Sequence, residues 1–177
     1  RAILTALMLT VATQAGAVKG MAGFVYVMSN PLFDRIKIGK STKDPTKDRL
    51  NELNRETGTP EKYKCEYYAF VGDEHGLEFS IHKQFVTKDL TQKREFFEVS
   101  IPEAIIAIRK TATKFGDKNE EIYYQDLKKI EYEGGQVYFG EIKNGQISGH
   151  GTLTWPNGQE YVGNWDNDQQ NGHGTYT

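Results

Sequence analysis

At 177 residues the chain can hold one ordinary domain or two small ones, and 37% hydrophobic with 26% charged residues excludes a disordered polyelectrolyte. A net charge of −2 gives no global reason to bind nucleic acid or membrane, and the single cysteine, Cys65, excludes an internal disulfide or a cysteine metal cluster. The small total hides a division: residues 23–115 carry 16 Lys and Arg against 14 Asp and Glu, residues 116–177 carry 4 against 10. A polyanionic partner, if there is one, is expected on the first half.

Arg1, the apolar run Ala2–Ala12 and the Ala15-Gly16-Ala17 ending have the parts of a secretory signal peptide, which implies export to a periplasm or beyond. The run is shorter than the ~20 apolar residues of a membrane span. The alternative is a cytoplasmic protein starting at Met21, and under either reading residues 1–20 are set apart from the fold. Gly23–Met28 reads as a strand closed by Ser29-Asn30-Pro31. Arg35–Lys40 alternates basic and apolar residues, predicting a second strand with Ile36 and Ile38 inward and the cations outward. An antiparallel hairpin follows from the two.

Asp44-Pro45 predicts an N-cap and first helical position, with Arg49, Leu50 and Leu53 at helical spacing before Gly58-Thr59-Pro60. Residues 63–71 predict a third strand, in which Cys65 among tyrosines reads as a packed residue rather than a nucleophile. Asp73 predicts the cap of a second helix with Leu77, Ile81 and Phe85 buried and Glu78 and His82 one step round. Residues 95–99 predict a last strand, and a third helix follows Pro102.

The charged, tyrosine-rich stretch 116–133 reads as a linker or short bridging element. Beyond it the sequence repeats with a period of 23: Tyr138 with Tyr161, Gly140 with Gly163, Gly149 with Gly172, and Gly151 with Gly174. Such a period means stacked supersecondary units. Lys143-Asn144-Gly145 predicts a tight hairpin, since a type I′ turn needs positive φ at both central positions. The spacing Tyr-x-Gly, Gly-x-Gly-Thr, Pro-Asn-Gly over residues 134–177 resembles the MORN repeat, which implies a ribbon of hairpins with aromatics along one face. The second copy stops at Thr177, so either the chain continues or residues 122–137 act as an imperfect cap.

The residues that carry chemistry lie in the first half. Tyr26, Lys37, Arg49, Glu78 and His82 suit phosphodiester hydrolysis: a carboxylate for Mg²⁺, cations for developing phosphate charge, and a tyrosine or histidine to orient or deprotonate water. Gly23-Phe24-Val25-Tyr26-Val27, Lys37-Ile38-Gly39-Lys40-Ser41, Arg49-Leu50, Glu78-x-x-x-His82 and Arg94-Glu95-Phe96-Phe97 together resemble the GIY-YIG nuclease superfamily. Residues 23–109 are more closely similar to its bacteriophage T-five type DNA-binding branch, found in many bacterial proteins. The resemblance implies an α+β fold: a small antiparallel sheet of three strands or so flanked by helices over 23–115, then antiparallel β-hairpin MORN repeats. It also implies that Tyr26 activates water, Arg49 contacts phosphate and Glu78 binds the metal. Lys37 stands where the superfamily has its second tyrosine, and the late asparagine of homing endonucleases is not evident, with Glu95 near its place. Cleavage and mere binding therefore both stay open.

Plainer readings exist for each residue. Tyr26 can be packing, Arg49 can pair with Glu52 or Asp48, and Glu78 with His82 can be a surface i,i+4 contact. His75, His150 and His173 lack a second ligand at metal spacing. Arg35, Lys37, Lys40, Lys43, Lys47 and Arg49 fall within fifteen positions, a footprint suited to phosphate. Neither a base-reading helix nor an aromatic stacking ladder is evident. Three functions follow: a Mg²⁺-dependent DNA endonuclease, a DNA-binding module without catalysis, and a scaffold whose MORN ribbon engages a protein or lipid surface.

Overall fold

A computed structural model describes residues 20–56, 58, 60–85, 95–116 and 119–177. The expected leader therefore lies, apart from Gly20, outside the described residues, as does Arg94. Among the described residues no helix is long and apolar enough to cross a membrane.

β1 (Gly23–Ser29) and β2 (Ile36–Ser41) form the expected antiparallel hairpin, with Tyr26 opposite Gly39 and Met28 opposite Lys37. Buried Asn30 holds the connection: its Oδ1 accepts from the Leu32 N–H at 2.9 Å and its Nδ2 donates to the Glu61 carbonyl at 3.1 Å. α1 (Asp48–Glu56) begins later than Asp44-Pro45 predicts. The Asp44 carboxylate instead accepts from the Thr46 N–H at 2.8 Å and the Thr46 hydroxyl at 2.7 Å, closing a turn one step ahead of the helix. β3 (Lys64–Val71) pairs with the other edge of β1, placing Phe70 opposite Phe24 and Tyr68 opposite Tyr26.

α2 (Glu74–Gln84) is capped by Asp73, which accepts from the Gly76 N–H at 2.8 Å, and buries Leu77 and Ile81 with Phe85 at its end, as the spacing predicts. Its Glu74 N–H donates to the Met21 carbonyl at 3.1 Å, tying the chain ahead of β1 to the domain. β4 is only Phe96–Phe97, paired with Ile36 and Lys37. α3 (Ile101–Ala112) carries Pro102 in its first turn and Ser100 as its cap.

The stretch 116–133 is a bridge that gives an edge strand to each of two sheets. β5 (Asn119–Ile122) pairs with β3, and β6 (Leu127–Glu131) pairs with β7 (Val137–Lys143). β8 (Gln146–Thr154), β9 (Glu160–Asp166) and β10 (Gln169–Tyr176) complete the second sheet. The strand orders are β4-β2-β1-β3-β5 and β10-β9-β8-β7-β6, so the first sheet has five strands rather than about three. The fold is α+β, with three helices and two antiparallel sheets, and the C-terminal strands fit MORN hairpins.

Alternation divides the first sheet. Val25, Val27, Ile38, Tyr67 and Ala69 face α2 and α3, while Tyr26 and Met28 lie under Leu53 and Tyr63 on the α1 side. In the second sheet the predicted Asn144-Gly145 turn has φ of 53° and 83°, and Asn167-Asp168, one period on, has 47° and 64°. Tyr138 and Tyr161 lie over backbone: a Cβ at Gly151 or Gly174 would stand 2.3 Å from the respective phenolic oxygen. Trp165 meets both rings edge-on, at 5.5 and 5.2 Å. The 23-residue glycine pattern is thus the track on which the aromatics sit. The modules also pack together, with Leu127 and Phe139 joining the first domain's core and the Arg109 guanidinium 3.9 Å over the Phe139 ring.

Candidate nucleic-acid interface

The predicted chemistry comes from four elements around β2, from its short pairing with β4 at Lys37 to Lys40. β1 brings Tyr26, β2 brings Lys37 and Lys40, α1 brings Arg49, and α2 brings Glu78 and His82. Burial of Tyr26 is nearly complete, and the Arg49 Nε donates to its hydroxyl oxygen at 3.3 Å. Desolvation raises the Tyr26 phenol above its ordinary pKa, with Arg49 opposing the shift and the charges of Glu95 and Glu78 adding to it. At neutral pH Tyr26 is therefore a neutral hydroxyl.

Burial also raises the Glu78 carboxyl, opposed by His82, Lys40 and Lys37 and reinforced by Glu95. Glu95 and Glu78 thus act electrostatically on Tyr26, and Lys37 and Lys40 on Glu78. His82 is tied down by an Nε2 contact of 3.0 Å to the Ile38 carbonyl and by its ring 4.9 Å from Phe97. Because a carbonyl only accepts, Nε2 donates in that contact, and Nδ1 is the ring nitrogen it leaves unengaged.

The cations do not stand as alternation alone predicts. Lys37 does not face solvent: it is buried, ion-paired with Glu95 and 5.0 Å over the Phe96 ring. That face of the strand is covered by the Phe96 ring and the cluster of Met28, Leu53 and Tyr63, so a lysine there needs a carboxylate. Lys40 reaches Glu74 at 3.5 Å. Lys43 pairs with Glu52, which also sits 3.6 Å from Arg49, so Arg49 makes both the expected contact with Glu52 and a hydrogen bond to Tyr26. Arg35 and Lys47 have no ion-pair partner among the described residues. Glu52 was legible as a partner for Arg49, and Glu95 by its place in the last motif, but the pairing of Glu95 with Lys37 was not legible in the sequence.

Gly39 explains the Ile-Gly pair of the second motif. A Cβ there would stand 2.6 Å from the Tyr26 hydroxyl oxygen, so only glycine lets the ring cross the neighbouring strand. Among the described residues no group of three or more His, Cys, Asp or Glu is placed to hold a metal ion. Glu78 remains as a single hard oxygen donor, half-buried beside cations. That fits Mg²⁺, which takes one or two carboxylates and fills its shell with water and phosphate oxygens.

Comparison with protein families matches residues 23–112 to the T5orf172 domain, and residues 138–160 and 161–177 to the MORN repeat. Comparison with curated proteins finds no match. T5orf172 domains are nucleic-acid-binding, nuclease-like domains, and MORN repeats mediate interactions. The first match spans half of the chain and contains Tyr26, Lys37, Arg49, Glu78 and His82, and on it the protein belongs to the T5orf172 domain family, with MORN repeats following that domain.

Proposed function

We propose that the first domain binds nucleic acid along the open edge of β2 and hydrolyses a phosphodiester bond there with Mg²⁺, and that the MORN sheet docks this activity on a protein or lipid partner. The observation that carries this reading is the Arg49–Tyr26 hydrogen bond lying in the field of Glu78. Arg49 supplies a fixed positive charge for a non-bridging phosphate oxygen. Tyr26, neutral and already accepting from Arg49, keeps its own proton for donation to an oxygen of the substrate or of the attacking water. Its raised pKa argues for orienting that water rather than deprotonating it. His82, whose Nε2 is engaged by the Ile38 carbonyl, offers Nδ1 as the better candidate base of the two. Glu78 would hold the metal, which when bound would polarise the phosphate and lower the pKa of a coordinated water. DNA is the partner that the family favours.

Incubation of the full chain with plasmid and single-stranded DNA in Mg²⁺ tests the reading. Wild type should cleave, with Glu78→Gln reduced to background and its DNA retention intact. Equal background from both proteins, with salt-sensitive retention of DNA, would instead establish binding without catalysis. The Lys37–Glu95 pair favours that second reading, because it occupies one cation that a cleaving site would otherwise use on phosphate.

A further inference from the structure

Alternation along β1 and β3 puts a row of rings on the α1 side of the first sheet, its Tyr68 end packed against the Leu53 and Tyr63 cluster. Phe24 lies two residues before Tyr26 on the same face, and Phe70 and Tyr68 stand opposite Phe24 and Tyr26 on the adjacent strand. Tyr123, just past β5, continues the row. Phe24 meets Phe70 at 4.9 Å and Tyr68 at 5.4 Å, both edge-to-face, and Tyr68 meets Tyr123 at 6.3 Å. Phe70 and Tyr123, at the two ends of the row, are 38% and 39% exposed, an unusual placement for large aromatics on a sheet with a covered half. No aromatic ladder was legible in the sequence, because the four rings come from three segments that only the sheet brings together.

Cations border the row on the side of the catalytic cluster. Ser41 is the cross-strand neighbour of Phe24, and its hydroxyl accepts from the Lys43 N–H at 2.9 Å. Lys43 and Arg49 are both held by Glu52, and Lys47 is exposed nearby in sequence. The other border is acidic: Glu121 accepts from the Tyr123 hydroxyl. A backbone of phosphates therefore has one favourable path, along Lys43 and Arg49, with its bases turned onto the rings. A duplex hides its base faces and cannot use such a row. An unpaired strand can, since every base has a π-face.

We propose that Phe24, Tyr68, Phe70 and Tyr123 form a stacking platform for the bases of single-stranded or locally unpaired nucleic acid, leading the strand to Tyr26 and Arg49. The proposal rests on the nucleic-acid reading above and adds its substrate class. The platform tolerates any base, so selectivity is for strandedness rather than sequence.

Fluorescence anisotropy of the full chain with labelled oligo(dT) and with a hairpin duplex of the same length, at low salt in EDTA, tests it. Wild type should hold the single strand about tenfold more tightly. Phe70→Leu, which keeps apolar volume and removes the ring, should weaken single-strand binding several-fold and leave duplex binding unchanged. Phe70→Tyr should restore it. Photocrosslinking with iodouracil-substituted oligonucleotide should mark peptides containing Tyr68–Phe70 or Tyr123. Equal affinity for both forms, unmoved by Phe70→Leu, would overturn the platform while leaving nucleic-acid binding intact. Binding of neither form would overturn both. Self-association of wild type that Phe70→Leu relieves, with no effect on oligonucleotide, would reassign the rings to a protein contact and overturn the proposal.

Discussion

The Tyr26 ring lies across Gly39 on the neighbouring strand, so closely that a Cβ on Gly39 would stand 2.6 Å from the phenolic oxygen and 2.8 Å from Cζ. Neither atom is the end of a flexible chain, since the ring is packed among Met28, Leu53 and Tyr63. Gly39→Ala must therefore displace Tyr26 or β2. Overpacking of this kind costs roughly 1–3 kcal/mol. For a chain of this length each kcal/mol lowers Tm by about 2–4 °C. Moving the hydroxyl also breaks its bond to Arg49, so DNA retention should fall together with Tm. An unchanged Tm on differential scanning calorimetry would mean that Tyr26 is not held as described.

Lys37 and Arg49 should separate cleanly in salt titrations. The Lys37 side chain is 4% exposed and already neutralised by Glu95, whose side chain is 46% exposed. Lys37→Met fills the same volume over Phe96 and leaves Glu95 free to turn to water, so no charge is stranded. Its stability should change by less than about 1.5 kcal/mol, and the dependence of DNA affinity on salt should not move. Arg49→Ala should reduce that log–log slope by about 1, as loss of a phosphate contact does. A reduced slope for Lys37→Met would show that the buried lysine opens to phosphate.

Local signals carried most of what was legible in the sequence. The β1–β2 hairpin, the Asp73 cap, the Leu77–Ile81–Phe85 stripe and the I′ turn at Asn144-Gly145 each depend on residues a few positions apart. Partners supplied from a distance were not legible. Lys37 reads as outward by alternation, yet Glu95, fifty-eight positions later, draws it inside. Asp44-Pro45 reads as a helix start until the Thr46 hydroxyl competes for the carboxylate. The bridge 116–133 has no hydrophobic period of its own because each of its strands is an edge, and edges bury little. Tyr26, Arg49 and Glu78 could be chosen by motif spacing, but the Arg49–Tyr26 hydrogen bond and the charge of Glu78 acting on that phenol needed the fold.

Cys65 should be inert in the folded protein. Burial pushes its thiol up to about 12, so at pH 8 only on the order of one molecule in ten thousand carries the thiolate, against about a quarter for a free cysteine near 8.5. Alkylation by iodoacetamide at pH 8 should be slower than in urea-unfolded protein by about a thousandfold. The sign for stability follows: the folded pKa is raised, so the contribution is full below the unfolded value and is lost as pH rises from about 9 towards 12. Rapid native-state alkylation would contradict the packed reading of this strand.

Arg109 joins the two modules. Its Nε donates to both Glu120 oxygens, at 3.0 and 3.1 Å, while its guanidinium covers Phe139 on β7. One side chain thus touches the first sheet's edge strand and the MORN sheet, and Lys110 adds a 2.7 Å contact to Glu160. Arg109→Ala loses packing as well as charge. Thermal unfolding should change from one cooperative transition to two, with the MORN tyrosine signal melting apart from the helical signal. A single sharpened transition in the variant would place the coupling elsewhere, in Leu127 and the β5–β6 bridge.

The two hairpin turns of the repeat make a matched pair for the last test. Gly145 has φ of 83° with nothing within 4 Å of a Cβ, and Asp168, its equivalent 23 residues later, has φ of 64°. Asp168 offsets its left-handed backbone with a carboxylate that accepts from the Ile147 N–H at 2.8 Å. Gly145→Asp takes on the same conformation without that bond. Asp and Asn are the side chains most tolerant of positive φ, so the change should cost about 1 kcal/mol or less. Gly145→Val puts a β-branched residue there and should cost roughly 2–3 kcal/mol. Asp168→Gly relaxes the backbone but loses the bond to Ile147, and the two effects should nearly cancel. Urea titration of the three variants checks the order Asp168→Gly, Gly145→Asp, Gly145→Val by rising loss. A Gly145→Val variant as stable as Gly145→Asp would mean that this turn does not set the hairpin register.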